Sequence, residues 1–136
     1  MPREQAEKAA LIVHRGENTY VVLNRFPYTS GHVMVLPYAH ESSLAALPSE
    51  VAHELMDTAQ RLEAVLGKTY RPDGINMGLN LGKAAGAGVQ GHLHLHILPR
   101  WTGDTNFMTV VGETRVLPED LETTWERVRE NFLKST

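Results

Sequence analysis

The sequence contains no cysteine, and this absence excludes disulfide bonds and thiolate metal sites. It fits a reducing cytoplasm, which is the location we expect. No apolar run approaches the roughly 18 residues of a membrane-spanning helix, and the polar start, Met1 to Gln5, is unlike a signal peptide. The formal net charge is -3, so the basic excess that binds a nucleic-acid polymer is missing. We therefore expect neither a membrane nor a nucleic-acid polymer as partner.

The apolar pattern predicts an α+β domain that occupies residues 1–136. Apolar residues at spacings of three, four and seven, from Val51 to Leu66, predict one long helix that the segment Gly67 to Gly74 ends. A C-terminal helix is predicted over 117–133 and a short helix over 3–9, while 107–111 is a short apolar stretch. Strands are predicted at 11–14, 19–23, 31–37, 75–81 and 92–100. Without βαβ alternation, these strands favour an antiparallel sheet.

Three of the seven histidines lie within five residues, in the run His92-Leu93-His94-Leu95-His96. Successive side chains of a strand point to opposite faces, so the three imidazoles are predicted to share one face and the leucines the other. A plain solvent-facing strand would mix residue types on its polar face. The run therefore indicates chemistry.

Two kinds of chemistry compete for such a run. Histidines at alternate strand positions can bind one metal ion, but Arg100 would repel a cation and the nearest acid, Asp104, lies beyond a turn. Alternatively, a neutral imidazole can attack phosphorus while its neighbours donate hydrogen bonds to phosphate oxygens. The small-residue loop 82–91 offers backbone N–H groups that approach an anion closely. Phosphate chemistry is the better interpretation, with no metal and no cofactor.

The run continues as His96-Ile97-Leu98, which resembles the complete signature of the histidine triad (HIT) superfamily, His-φ-His-φ-His-φ-φ with φ apolar. The segment Asn24 to Pro37 and the Asn80-Leu81-Gly82 sequence are also similar to that family. The resemblance covers residues 11 to about 111. It implies a HIT-like fold: a five-stranded antiparallel sheet with one long helix and a C-terminal helix. It also implies a homodimer with a continuous ten-stranded sheet.

The resemblance further implies catalytic roles for four histidines. It makes His94 the nucleophile that attacks the α-phosphate of a nucleotide. It assigns His92 and His96 to contact phosphates, or to orient and protonate around them, and His32 to support them from the adjacent strand.

The substrate-binding candidates come from the same resemblance and from the small-residue loop. Asn24 would lie near the ribose and Asn80 near the phosphates. Trp101 and Phe26 would either contact a base or only fill space. The candidates are Asn24, Phe26, Asn80, Gly88, Gln90 and Trp101.

The Pro99-Arg100-Trp101 ending resembles the branch of the superfamily that acts on dinucleoside polyphosphates. The implied function is a nucleotide hydrolase or nucleotidyl transferase with a nucleotidyl-histidine intermediate. The Ala87-Gly88-Val89-Gln90 sequence has no hydroxyl where the phosphorylases of this branch carry a Gly-Ser pair, which favours water as the acceptor. A diadenosine tetraphosphate phosphorylase and a nucleotide-binding sensor module remain the alternatives.

Overall fold

A five-stranded antiparallel sheet organises the protein, as the strand pattern predicts. The computed structural model describes residues 2–86, 92–104 and 119–135. The strand order is β1-β2-β3-β5-β4, so β1 and β4 are the two edges. The strands are β1 (Ile12–Arg15), β2 (Thr19–Leu23), β3 (Val33–Pro37), β4 (Gly74–Leu79) and β5 (Leu95–Arg100).

In the described part of the chain, three α-helices accompany the sheet: α1 (Arg3–Ala9), α2 (Ser49–Tyr70) and α3 (Leu121–Lys134). The predicted stripe of α2 is buried, and it packs against the odd-numbered side chains of β3 and β5 in one core cluster. Trp125, Val128 and Phe132 of α3 complete this core, as the C-terminal pattern predicts. Within the described residues, no helix has the length and apolarity needed to cross a membrane. The predicted apolar stretch 107–111 lies outside the described residues.

The end of α2 differs from the prediction. The helix does not break at Gly67 but continues to Tyr70, and Arg71 ends it in the left-handed conformation at a φ of 48°. Thr69 is buried there and its hydroxyl donates to the carbonyl of Val65 at 2.7 Å. Tertiary burial of this last turn outweighs the roughly 1 kcal/mol that a glycine costs inside a helix.

The edge strand β1 is covered by side chains of α3. The indole Nε1 of Trp125 donates to the carbonyl of Ile12 at 2.7 Å, and Nη1 of Arg129 donates to the carbonyl of Val13 at 3.0 Å. Unpaired edge groups invite pairing with another chain. At β1, α3 satisfies two of them, while β4 is the other edge of the sheet.

The other face of the sheet carries the even-numbered side chains of β3 and β5. Met34 of β3 lies opposite His96 of β5, and both are half-buried, whereas Val33, Val35 and Ile97 are fully buried on the helix side. This arrangement separates an apolar face, which holds the fold, from the face that carries the histidines. We call the latter the histidine face.

The β1–β2 hairpin is tied to α2 by one carboxylate. Glu54 accepts hydrogen bonds from the backbone N–H and the side-chain amide of Asn18, and from the hydroxyl of Thr19. Burial alone would raise the pKa of Glu54, but these hydrogen bonds from Thr19 and Asn18 outweigh it and lower the pKa below its usual range. The ionised form of Glu54 therefore stabilises the folded state.

We expect Glu54→Gln to lower the free energy of unfolding by about 1.5 kcal/mol at pH 7, since hydrogen bonds to a charged group contribute about that much. A carboxyl with a lowered folded pKa stabilises above its unfolded pKa of about 4.3, and this contribution disappears as the pH falls through the folded value. The difference between the variant and the wild type should therefore shrink below pH 4 in urea titrations. Glu63→Gln, on the exposed side of the same helix, is the control. A loss that is equal for both variants would contradict this assignment.

Candidate active site

The histidine segment alternates as predicted, but its first part lies outside the strand. Leu93, Leu95 and Ile97 are buried, whereas His94 and His96 are half-buried on the histidine face. Strand β5 begins only at Leu95, so the predicted strand over 92–100 is too long at its start. In the ladder with β3, the paired residues of β5 run from Leu95 to Ile97.

Residues that follow β3 hold the segment before β5 in place. Nε2–H of His92 donates to the carbonyl of Pro37 at 2.8 Å, and the backbone N–H of Leu93 donates to the carbonyl of Glu41 at 2.6 Å. The ring of His40 stacks on that of His92 with 5.1 Å between centroids. These contacts replace the sheet ladder for residues 92 and 93.

The proton on His94 is located by a backbone carbonyl. Nδ1 of His94 lies 3.1 Å from the carbonyl oxygen of His92. A carbonyl oxygen only accepts, so Nδ1 carries a proton, and in the neutral ring Nε2 keeps its lone pair. His94 therefore presents an unprotonated nitrogen, as a nucleophile requires.

The proton on His96 is located by a relay from the β2–β3 loop. The backbone N–H of Tyr28 donates to Nδ1 of His32 at 3.1 Å, which leaves the proton of His32 on Nε2. This Nε2 lies 2.9 Å from Nδ1 of His96 and donates to it. His96 therefore carries its own proton on Nε2. The relay gives His96 the tautomer opposite to that of His94.

The loop that carries His32 is fixed against the end of β5. The hydroxyl of Thr29 donates to the carbonyl of Pro99 at 2.8 Å. Gly31 adopts a φ of 86°, and a Cβ built there would lie 2.7 Å from a ring carbon of Tyr70. Glycine is therefore required, and its close approach positions the buried ring of His32.

Burial and a neighbouring ring act on His96. Burial lowers the pKa of His96 below the ordinary histidine value, and the ring of His94 lowers it further. The two ring centroids are 4.7 Å apart and the rings meet edge to face. His96 is therefore neutral at pH 7, so its Nε2–H acts as a neutral donor beside the lone pair of His94.

Asn24 and Phe26 form a turn at the end of β2. The backbone N–H of Phe26 donates to Oδ1 of Asn24 at 2.9 Å, and the backbone N–H of Asn24 donates to the carbonyl of His32 at 3.0 Å. Phe26 is 81% exposed. Asn80 is exposed directly after β4, and Gly88 and Gln90 lie outside the described residues. The substrate contacts of these five residues stay predictions.

Trp101 lies at the far end of β5 from the histidines. Its ring meets that of Tyr70 edge to face, with 6.1 Å between centroids. Five residues of extended chain separate it from His96, a distance of about 16 Å. This arrangement supports the packing interpretation of Trp101 and gives no support to stacking on a base at the histidines.

Arg100 lies on the histidine face but is already paired. Its Nε and Nη2 donate to the carboxylate of Asp104 at 2.6 and 2.8 Å, and its Nη1 donates to Oδ1 of Asn76 at 2.8 Å. Its positive charge is therefore balanced locally.

Within residues 2–86, 92–104 and 119–135, no three His, Cys, Asp or Glu side chains are grouped so that they could hold a metal ion.

Sequence reasoning missed three of the groups that complete the site. The carbonyl of Pro37 and the backbone N–H of Tyr28 are main-chain groups, which no residue pattern reveals. The third group is His40, which is exposed, yet its ring stacks on that of His92. The sequence signal for this contact was the position of His40, three residues after the end of β3.

The sheet, the long helix and the paired tautomers define an α+β domain that places an imidazole lone pair and an imidazole N–H donor side by side on one face. The model of the HIT domain family matches residues 5–103. The chain belongs to this family, and the predicted HIT-like fold is confirmed.

Named relatives and a solved structure support the assignment. The protein called AP-4-A phosphorylase of Mycobacterium tuberculosis is 44% identical over 119 residues, which are 88% of this chain and 61% of that protein. Bis(5'-adenosyl)-triphosphatase of Dictyostelium discoideum is 34% identical over 84 residues, which are 62% of this chain and 56% of that protein. A Zn-bound histidine triad family protein from Mycobacterium smegmatis matches with a TM-score of 0.76 and 31% identity, covering 92% of this chain and 85% of that chain. The chain thus spans less than two thirds of either named enzyme.

The tautomers can be tested without any substrate. In ¹⁵N-detected NMR of the imidazoles at pH 7.5, we expect the proton of His94 on Nδ1 and that of His96 on Nε2, because their partners leave no other arrangement. His32→Phe should remove the preference at His96 and leave that at His94 unchanged, which makes His94 the internal control. A spectrum of the wild type with both rings in the same tautomer would refute this geometry.

Proposed function

We propose that this protein cleaves dinucleoside polyphosphates at the α-phosphate through a covalent nucleotidyl group on His94. The observation that carries the proposal is the pairing of an unprotonated Nε2 on His94 with an edge-to-face neighbour, His96, whose Nε2 bears a proton. One nitrogen supplies an electron pair and the other supplies a hydrogen bond. This is the pair of groups that displacement at phosphorus requires.

The substrate class rests on the relatives. Both are named for diadenosine polyphosphates, one as a phosphorylase of AP-4-A and the other as a triphosphatase. Each is considerably longer than the matched region, so the substrate is part of our proposal for this chain. Diadenosine tetraphosphate is the first substrate to test, since the longer and more similar match is to the AP-4-A enzyme.

The reaction proceeds by two displacements. In the first, Nε2 of His94 forms a bond to the α-phosphorus, and the bond from phosphorus to the bridging oxygen breaks. The electron pair of that bond leaves with the released nucleotide, whose oxygen accepts a hydrogen bond from Nε2–H of His96. In the second, the acceptor oxygen bonds to phosphorus and any proton on it passes to the solvent, while the bond from phosphorus to Nε2 of His94 breaks and returns its electron pair to that nitrogen.

The carbonyl of His92 contributes to both displacements. When Nε2 bonds to phosphorus, the imidazole of His94 becomes cationic, and its Nδ1–H donates to this carbonyl more strongly. His92 thus orients the nucleophile through its backbone, while its own ring is held by Pro37. This supports an orienting role for His92 instead of a phosphate contact.

The acceptor is water or inorganic phosphate, and a specific observation favours each. The 44% identity to a protein named as a phosphorylase favours phosphate. The Ala87-Gly88-Val89-Gln90 sequence, which has no hydroxyl, favours water. From diadenosine tetraphosphate, water gives AMP and ATP, whereas phosphate gives ADP and ATP.

We further propose a homodimer that is cytoplasmic. Strand β4 is an edge of the sheet, and its Met77 is 41% exposed. An edge strand of this kind can pair with its own copy, which would extend the two sheets into one of ten strands.

We expect His94→Ala to lower kcat on diadenosine tetraphosphate by about 10³-fold or more, as removal of a nucleophile does elsewhere. Ligand binding should change little, since the residue acts on the transition state. The measurement is product formation by chromatography, with and without added phosphate, and the appearance of ADP identifies phosphorolysis. His53→Ala, on the exposed side of α2, is the control.

A second variant tests the covalent step directly. His94→Gly should be inactive on diadenosine tetraphosphate but should use adenosine 5′-phosphorimidazolide, which brings its own imidazole into the vacated space. Near-wild-type rates in His94→Ala would show that His94 is not the nucleophile and would refute the proposed mechanism.

A further inference from the structure

Strand β4 places a glycine directly beside His96. In the β4–β5 ladder Gly78 lies opposite His96, and directly opposite residues of an antiparallel pair project from the same face. His96 therefore has Met34 as its neighbour on the β3 side and a residue without a side chain on the β4 side.

Within residues 2–86, 92–104 and 119–135, the space above Gly78 is open. A Cβ built on Gly78 meets no atom of the described residues within 4 Å. On its other side, His96 accepts the hydrogen bond from His32, and along β5 it meets the ring of His94. Among the described residues, the side of His96 that faces β4 therefore has no side chain at the opposite strand position.

The backbone does not require a glycine at this position. Four glycines of the described residues have a positive φ, and Gly78 is not among them. A glycine inside a strand weakens it by roughly 0.5–1 kcal/mol and often marks the close approach of a ligand. The absent side chain, and not the backbone conformation, distinguishes this position.

Amides border the open space along the strand. Asn76 and Asn80 lie two residues to either side of Gly78, each about 7 Å away along an extended chain, and both are exposed. Oδ1 of Asn76 accepts from Arg100, which orients its amide. The space over Gly78 is thus bordered by the amide residues Asn76 and Asn80 along the strand and by His96 on one side.

We propose that Gly78 is a specificity-determining residue, whose missing side chain leaves room beside His96 for the phosphate chain of the leaving nucleotide. This inference rests on the proposed function, since it concerns which leaving groups the same nucleophile can displace. A polyphosphate requires this space next to the donor N–H. A leaving group as small as ammonia does not.

The test compares two substrates in one variant. Gly78→Val should lower kcat/KM for diadenosine tetraphosphate by about tenfold or more, as blocking a subsite by a few carbon atoms does. For adenosine 5′-phosphoramidate, kcat/KM should stay within about twofold, because its leaving group lies within the space that remains. Gly78→Ala intrudes less and should give a smaller change in the same direction.

Gly74→Val is a matched control. Gly74 is in the same strand and on the same face, also meets nothing within 4 Å of a built Cβ, and lies opposite Arg100 instead of His96. Gly74→Val should leave kcat/KM for both substrates unchanged. Thermal unfolding of all variants shows whether the strand is intact.

The outcomes separate this inference from the proposed function. If the wild type cleaves neither substrate, the proposed function fails. If the wild type is active and Gly78→Val lowers kcat/KM equally for both substrates, or for neither, Gly78 does not select the leaving group and the inference is overturned. An equal loss in Gly74→Val would also overturn it, because the effect would then belong to the strand in general.

Discussion

Hydrogen bonds to backbone groups decide where the protons of this site lie, and the proposed chemistry depends on them. A histidine in water exchanges between two neutral tautomers. Here the carbonyl of His92 fixes one tautomer on His94, and the N–H of Tyr28, acting through His32, fixes the other on His96. A difference of about 1.4 kcal/mol changes such a ratio tenfold, so single hydrogen bonds suffice. In the proposed reaction, two identical side chains thus serve as nucleophile and as hydrogen-bond donor.

The sheet register holds these bonds in place. His32, which directly precedes β3, meets His96 of β5 because Met34 lies opposite His96 in the β3–β5 ladder. A slip by one residue would exchange the faces and would expose Leu95 and Ile97. Each of these buried side chains contributes roughly 1.5–3 kcal/mol by leaving water. The residues that stabilise the core therefore also fix the geometry of the histidines.

The sequence was sufficient to predict which side chains share a face of the strand and which fold class the chain adopts, but not to predict the contacts between distant segments. Strict alternation from His92 to His96 predicts which side chains share a face, because that depends on local geometry alone. The start of β5 at Leu95 depends on pairing with residues about 60 positions earlier, in β3. The continuation of α2 past Gly67 depends on burial of Thr69 by the rest of the fold. The position of Gly78 opposite His96 depends on register, which no pattern within β4 reveals.

In the proposed reaction, the histidines act on an anionic substrate without an unpaired cation at Arg100. Arg100 is paired with Asp104, and the chain as a whole has a net charge of -3. Burial keeps His96 neutral, so its contribution is a directed N–H dipole. A full cation would hold an anionic product as firmly as the substrate and would slow its release. A neutral donor interacts most strongly where charge develops on the leaving oxygen. Open space beside that donor, above Gly78, then lets the charged chain depart into solvent.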